Sequence, residues 1–247
     1  MLEIEIFSDA ICPWCFIGKR RLDTALTNDR GAIDPDIRLR WRPYMLYPNL
    51  PVEGVDRGEM LRRRYGPRGD KGRVPAMLLA EAATQDIELR YDLIDRTPNT
   101  RAAHRLVEWV GHQHGWQAQH TLVESLFNAY FCKGQDVGNV ATLAVIAASC
   151  GLQEAQTEAV LSGTGELGGQ LNEEIDLQLQ RAMELGVSGV PGYVMGGGYL
   201  LPGAQSVETM RAIIARAKEK FSTQARLSSP HIDDNKGRTL SQPKEGA

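Results

Sequence analysis

An excess of either charge is missing from this chain. Its 28 Lys and Arg residues face 31 Asp and Glu, a formal net charge of −3 over 247 residues. That balance leaves no electrostatic footprint for nucleic acid or an anionic membrane, so neither is expected as a partner. Long apolar runs are missing too, and nothing approaches the roughly 18 consecutive residues of a membrane span. The opening Met1-Leu-Glu-Ile-Glu-Ile-Phe7 is acidic where a secretion signal is basic, and no apolar stretch follows. The expectation is a cytoplasmic protein. Cysteine is scarce: four residues cannot make a disulfide scaffold, and a reducing compartment would not keep one. What remains is an ordinary globular composition, 42% hydrophobic and 24% charged, long enough to bury a substantial core.

Hydrophobic periodicity changes along the chain. Leu2, Ile4 and Ile6 alternate with Glu3 and Glu5, which predicts a strand. A helix is predicted from Pro13 to about Leu26, and a second strand at Ile37, Leu39 and Trp41, limited by Pro43. This β-α-β opening implies a parallel pair with a crossover helix. Arg57, Arg62, Arg63, Arg64, Arg68, Lys71 and Arg73 then outnumber the neighbouring acids. That segment reads as a solvated, partly helical connection or as a flap near a site. From Ala76 to about Leu185 nearly everything reads helical. One predicted face holds Val140, Leu143, Ala147 and Cys150. Strand texture returns at Gly189–Met195 and Tyr199–Leu201 around Gly196-Gly-Gly198, which predicts a hairpin. A last helix covers about Val207 to Phe221. The fold class is therefore α/β, a βαβ unit plus a ββα unit, as in a thioredoxin-like fold, with an inserted all-helical domain. The first part spans 1–50, the insertion with its basic segment 51–185, the second part 186–221, and a polar, disordered tail 222–247.

Cys12-Pro-Trp-Cys15 stands where the first strand gives way to the first helix. With Cys12 at the N-cap, Pro13 falls at the first helical position, where its missing N–H is harmless. Cys15 falls one turn in, beside Cys12. The free N–H groups of Trp14 and Cys15 would then face the Cys12 sulfur, and the helix dipole would favour a thiolate there. That predicts an exposed nucleophile at Cys12 and a shielded partner at Cys15. Half of a zinc site would need two more ligands at suitable spacing. Cys132 and Cys150 do not provide them, so no metal is expected. From spacing alone Val190-Pro191 before the hairpin reads as an ordinary trans proline at a strand start. Only together with the C-x-x-C and the thioredoxin-like topology is it expected to be cis and beside the cysteines, X-Pro being where a cis bond costs little. Gly163-Thr-Gly-Glu-Leu-Gly168 matches a dinucleotide fingerprint only formally, because helix and not strand precedes it; it reads as a helix break. His112, His114 and His120 lack an evident acidic co-ligand and read as a solvated helix end.

At this point a resemblance carries further. Phe7-Ser-Asp-Ala-Ile-Cys-Pro-Trp-Cys-Phe-Ile-Gly-Lys19 resembles the active-site segment of the DsbA family, in its FrnE-like branch. Asn99–Arg105, Leu126–Phe131 with Gly134-Gln-Asp136, Gly186–Pro191 and Gly203-Ala-Gln205 resemble further segments of that branch, in order. Gly192-Tyr193 departs from the bulkier apolar residues usual there. The resemblance implies thiol–disulfide exchange by Cys12 and Cys15, with Pro13, Trp14, Val190 and Pro191 supporting them. It also implies that Asn99 and His104 face the substrate. Partners would be protein disulfides and dithiols or small thiols, with no cofactor beyond glutathione as a co-substrate; a homodimer is left open. Two other classes share the architecture. One holds the kappa-type glutathione transferases and 2-hydroxychromene-2-carboxylate isomerases, which typically carry serine at the position of Cys12. The other is a non-catalytic chaperone or binding module.

Overall fold

The computed structural model describes residues 1–28, 32–66 and 69–228, with side chains up to 221. Arg68 of the basic segment and the end of the expected tail, 229–247, lie outside the described residues.

Strand β1 (Leu2–Ser8) is followed by helix α1 (Pro13–Leu26) and strand β2 (Ile37–Pro43). β1 and β2 pair in parallel, from Leu2 opposite Ile37 to Ser8 opposite Pro43. The chain returns much later as the hairpin β5 (Gly192–Met195) and β6 (Tyr199–Pro202), with β5 antiparallel to β1. The sheet order is β2-β1-β5-β6, and a C-terminal helix α9 (Val207–Ser228) packs on α1. α9 runs past Phe221, so the polar residues up to Ser228 continue the helix and do not begin a tail.

β1 departs from simple alternation. It is central, and all of its residues but Glu3 are buried. Glu5, expected on a wet face, lies 4% exposed, held by Arg42 of β2 and by Arg181.

Between the two halves of the sheet lie β3 (Val55–Asp56), α2 (Arg57–Tyr65), α3 (Ala76–Ala83), β4 (Arg96–Thr97), α4 (Arg101–Gln113), α5 (Gly115–Phe127), α6 (Val140–Ser149), α7 (Glu154–Ser162) and α8 (Gly165–Glu184). The stretch is less uniformly helical than its composition suggests. β3 and β4 form a two-stranded ribbon, Tyr91–Leu93 is a 3₁₀ turn, and Asn128–Cys132 closes α5 with a π turn. Val140, expected on the buried face of α6, is exposed, whereas Leu143 and Ala147 are buried. The Gly163–Gly168 segment is indeed a helix break: Gly163 ends α7 in the left-handed region, and a Cβ on Gly168 would meet its backbone at 2.3 Å. α4 and α5 pack on β2, and Phe127 and Phe131 stack on Phe16 of α1. The helical segments therefore share the core of the sheet.

Candidate active site

Cys12 is the N-cap of α1 and Pro13 its first residue, as the spacing predicts. The two cysteines lie 3.4 Å apart and unbonded, beyond the roughly 2.05 Å of a disulfide. The environment of Cys12 differs from expectation. No backbone N–H caps its sulfur, because the N–H groups of Cys15 and Phe16 are taken by the Cys12 carbonyl at 3.0 and 3.3 Å. Nor is Cys12 exposed: it is 5% accessible. Its thiol donates instead to the Val190 carbonyl at 3.5 Å. Cys15 is 1% accessible. Burial, then the hydrogen bond and charge of Cys12, push its pKa well up, against the hydrogen bonds from the Ser8 side chain and the Asp9 backbone. Cys15 therefore keeps its proton at neutral pH.

The Val190–Pro191 bond is cis, and Val190 touches Cys12 through its carbonyl. Gly18 of α1 lets this segment approach: a Cβ there would lie 2.4 Å from the Tyr193 hydroxyl and 3.0 Å from Pro191 Cγ. Trp14 is half-buried against the core.

Sequence reasoning missed Asp9, three residues before Cys12. It is fully buried; Oδ2 accepts from the Leu46 N–H at 2.8 Å and Oδ1 from the Ile11 N–H at 3.5 Å. Burial pushes its pKa up to about 6 against these bonds and one from Thr100. His104 comes within 3.8 Å of it, too far for a hydrogen bond. The His104 Nε2–H donates to the Tyr44 carbonyl at 3.1 Å, and burial pulls its pKa down to about 4. His104 is thus neutral at pH 7. A charged residue on a tight strand-to-helix turn was the available signal for Asp9. Asn99 donates to the Leu50 carbonyl at 2.8 Å and accepts from the Arg101 N–H, so its amide serves the loop that precedes α4.

Of the other histidines, His112 and His114 are exposed in the last turn and at the C-cap of α4, the solvated helix end expected of them, whereas His120 is not. His120 is half-buried inside α5, where Nδ1 accepts from Trp41 Nε1 at 3.1 Å and Nε2 donates to Asp23 at 2.7 Å. His112 does have acidic neighbours, Glu174 at 2.9 Å and Glu108 at 4.0 Å, brought from another helix and from one turn back. The three side chains could converge on a cation. Arg40 donates to His112 Nδ1 at 3.3 Å, however, which leaves the proton on Nε2 and directs it to Glu174. Cys132 and Cys150 are both half-buried, and Cys150 meets Ser125 rather than another thiol.

The sheet order, the helix-capping C-x-x-C and the neighbouring cis proline define a thioredoxin-type site. Residues 3–215 match the DSBA-like thioredoxin domain, and the chain belongs to that family. It is 22% identical over 226 residues to the uncharacterized protein YwbO of Bacillus subtilis (strain 168), covering 89% of this chain and 98% of that one. The probable DsbA oxidoreductase SCO1869 from Streptomyces coelicolor superposes with a TM-score of 0.74 at 24% identity, covering 89% and 91%. The cytosolic disulfide reductase DsbM from Pseudomonas aeruginosa, solved with GSH, gives 0.60 at 16%, covering 91% and 99%. A 2-hydroxychromene-2-carboxylate isomerase gives 0.59 at 18%, covering 92% and 100%. Among the described residues, no helix is long and apolar enough to cross a membrane.

Proposed function

We propose that this chain is a thiol–disulfide oxidoreductase in which Cys12 attacks and Cys15 resolves. The observation that carries the reading is the asymmetry of the pair: Cys12 caps α1, while Cys15 lies one turn in, fully buried and proton-retaining. The helix end presents its positive pole to the charge that forms on the Cys12 sulfur. Cys12 thiolate attacks a substrate disulfide, one S–S bond forms, and the substrate S–S bond breaks to release a thiolate. Cys15 then gives up its proton and attacks the Cys12 sulfur, releasing the second thiolate and leaving Cys12 and Cys15 disulfide-bonded. Two electrons pass to the substrate; the reverse sequence oxidises a dithiol. At 3.4 Å the second attack needs little motion, so it is favoured by effective concentration.

The Val190 carbonyl, once the Cys12 thiol ionises, is free to accept an N–H from an extended substrate, as a strand edge does. Glutathione fits as a small-thiol co-substrate, a reading supported by the DsbM structure with GSH. The FrnE-like branch rests on the Asn99–Arg105 and Gly134–Asp136 segments.

The test is trapping. Cys15→Ser should hold a mixed disulfide on Cys12, seen by non-reducing mass spectrometry. Cys12→Ser should abolish reduction of a model disulfide protein, while Cys132→Ser and Cys150→Ser retain most of it. Adducts with glutathione alone would favour the transferase and isomerase class. Capture through Cys15 in Cys12→Ser, with none in Cys15→Ser, would reverse the two roles.

A further inference from the structure

A cavity of about 190 Å³ opens beside the cysteines, between Ile11 and Pro13, the residues on either side of Cys12, and the basic helix α2. Two of the residues that line it each carry a buried polar atom without a hydrogen-bond partner among the described residues: Nε of Arg57 and the hydroxyl of Thr97. Thr97 is only 3% exposed. Unpaired buried polar groups are rare because each forfeits its bonds to water. Two on residues that line one cavity point to a group that satisfies both. Both atoms can donate, and an arginine can only donate, so the missing group is an acceptor.

Charge narrows it. Arg57 has no carboxylate in ion-pair range among the described residues, although Arg21, Arg42, Arg101 and Arg181 each have one. Its guanidinium lies over the Tyr91 ring at 4.8 Å, and Arg64 stands at the cavity rim. No acidic side chain lines the cavity among the described residues. Burial pushes the Tyr91 pKa up to about 12, so the phenol stays neutral and leaves the field positive. The remaining wall is aromatic and aliphatic, which suits an apolar body behind the anion.

We propose that this cavity binds the carboxylate of a small, apolar disulfide between Arg57 and Thr97, with its S–S bond at Cys12. The proposal rests on exchange at Cys12 as set out above and names the substrate class for it. The basic segment of the sequence thereby gains a role: α2 supplies a fixed cation next to the nucleophile.

The test separates binding from exchange. 4-(Methylthio)benzoate, which has the carboxylate and a thioether sulfur but no disulfide, is titrated against the full chain by calorimetry. Binding should weaken about tenfold or more in Arg57→Gln, the loss of one charge-assisted bond. It should fall severalfold in Thr97→Val and be largely kept in Arg57→Lys. In single-turnover assays the reduced protein supplies two electrons to anionic dithiobis(nitrobenzoate) or to neutral dithiodipyridine. The ratio of the two rate constants should fall about tenfold in Arg57→Gln. No binding by the wild type, or equal binding by Arg57→Gln, overturns the pocket even if dithiodipyridine is reduced. Reduction of neither disulfide with binding intact overturns exchange at Cys12 and leaves an anion site without that chemistry.

Discussion

Asp9 and His104 lie 3.8 Å apart at the base of the turn that carries Cys12, and burial moves each toward its neutral form. Their effects on stability oppose one another. In the unfolded chain the ordinary values are about 3.9 for Asp and about 6.5 for His. Between pH of about 4 and about 6 the unfolded pair holds one proton, on the histidine. The folded pair also holds one, on the aspartate, because its pKa is about 6 while that of His104 is about 4. With equal proton counts, the pair adds no pH dependence in that window. Removing one member exposes the other. In Asp9→Asn only the depressed histidine remains, and stability relative to wild type should climb as pH rises from about 4 to about 6.5. In His104→Gln only the raised aspartate remains, and stability should decline as pH rises from about 4 to about 6. Each swing is of order 3 kcal/mol, at about 1.4 kcal/mol per pH unit. Urea titrations at several pH values measure it, and slopes of the same sign in both variants would refute the assignment.

At the scale of elements, α1 is held against the hairpin side by an absence, the missing Cβ of Gly18. An alanine should favour the isolated helix by about 1 kcal/mol. Here its methyl would press on the buried Tyr193 hydroxyl and on Pro191. Overpacking of that kind costs about 1–3 kcal/mol. Gly18→Ala should therefore lower the melting temperature, and Tyr193→Phe in the same chain should recover most of the loss by removing the clashing oxygen. An equal loss with and without the hydroxyl would place the strain elsewhere. Elements such as α1, β1, β2 and the hairpin were legible because each has a local signature: alternation, a proline at a helix start, a glycine turn. β3 and β4 were not, since two-residue strands have no period. The hydrogen bond from Cys12 to Val190 spans 178 positions of sequence; topology placed Val190-Pro191 beside the cysteines, but no local pattern announces the bond itself. The same holds for Asp9, whose burial depends on Leu46 and on Thr100 at the start of α4. The C-x-x-C itself was legible because four adjacent residues contain all of its chemistry.

Across the whole molecule, the buried carboxylate of Glu5 ties three parts of the chain together. Arg181 of α8 grips it with both terminal guanidinium nitrogens at 2.5 Å, and Arg42 of β2 reaches it at 2.9 Å. Arg42 also stands 3.7 Å from Glu108 of α4. Burial alone would push the Glu5 pKa up, but the hydrogen bonds from Arg181 and Arg42 outweigh it and hold it below the ordinary value. A depressed acid stabilises the fold above its unfolded pKa and loses that contribution as pH falls through the folded one. Glu5→Gln keeps the shape but leaves two cations beside a neutral amide. Breaking a buried pair from one side costs about 3 kcal/mol or more. The variant should lose that stability at pH 7 by urea titration and much less of it at low pH, where wild-type Glu5 is itself protonated. Because α8 follows the helical segments and precedes the hairpin, the same variant should also expose α8 to protease first. A loss that is independent of pH would show that the packing of Glu5, and not its charge, joins the sheet to α8.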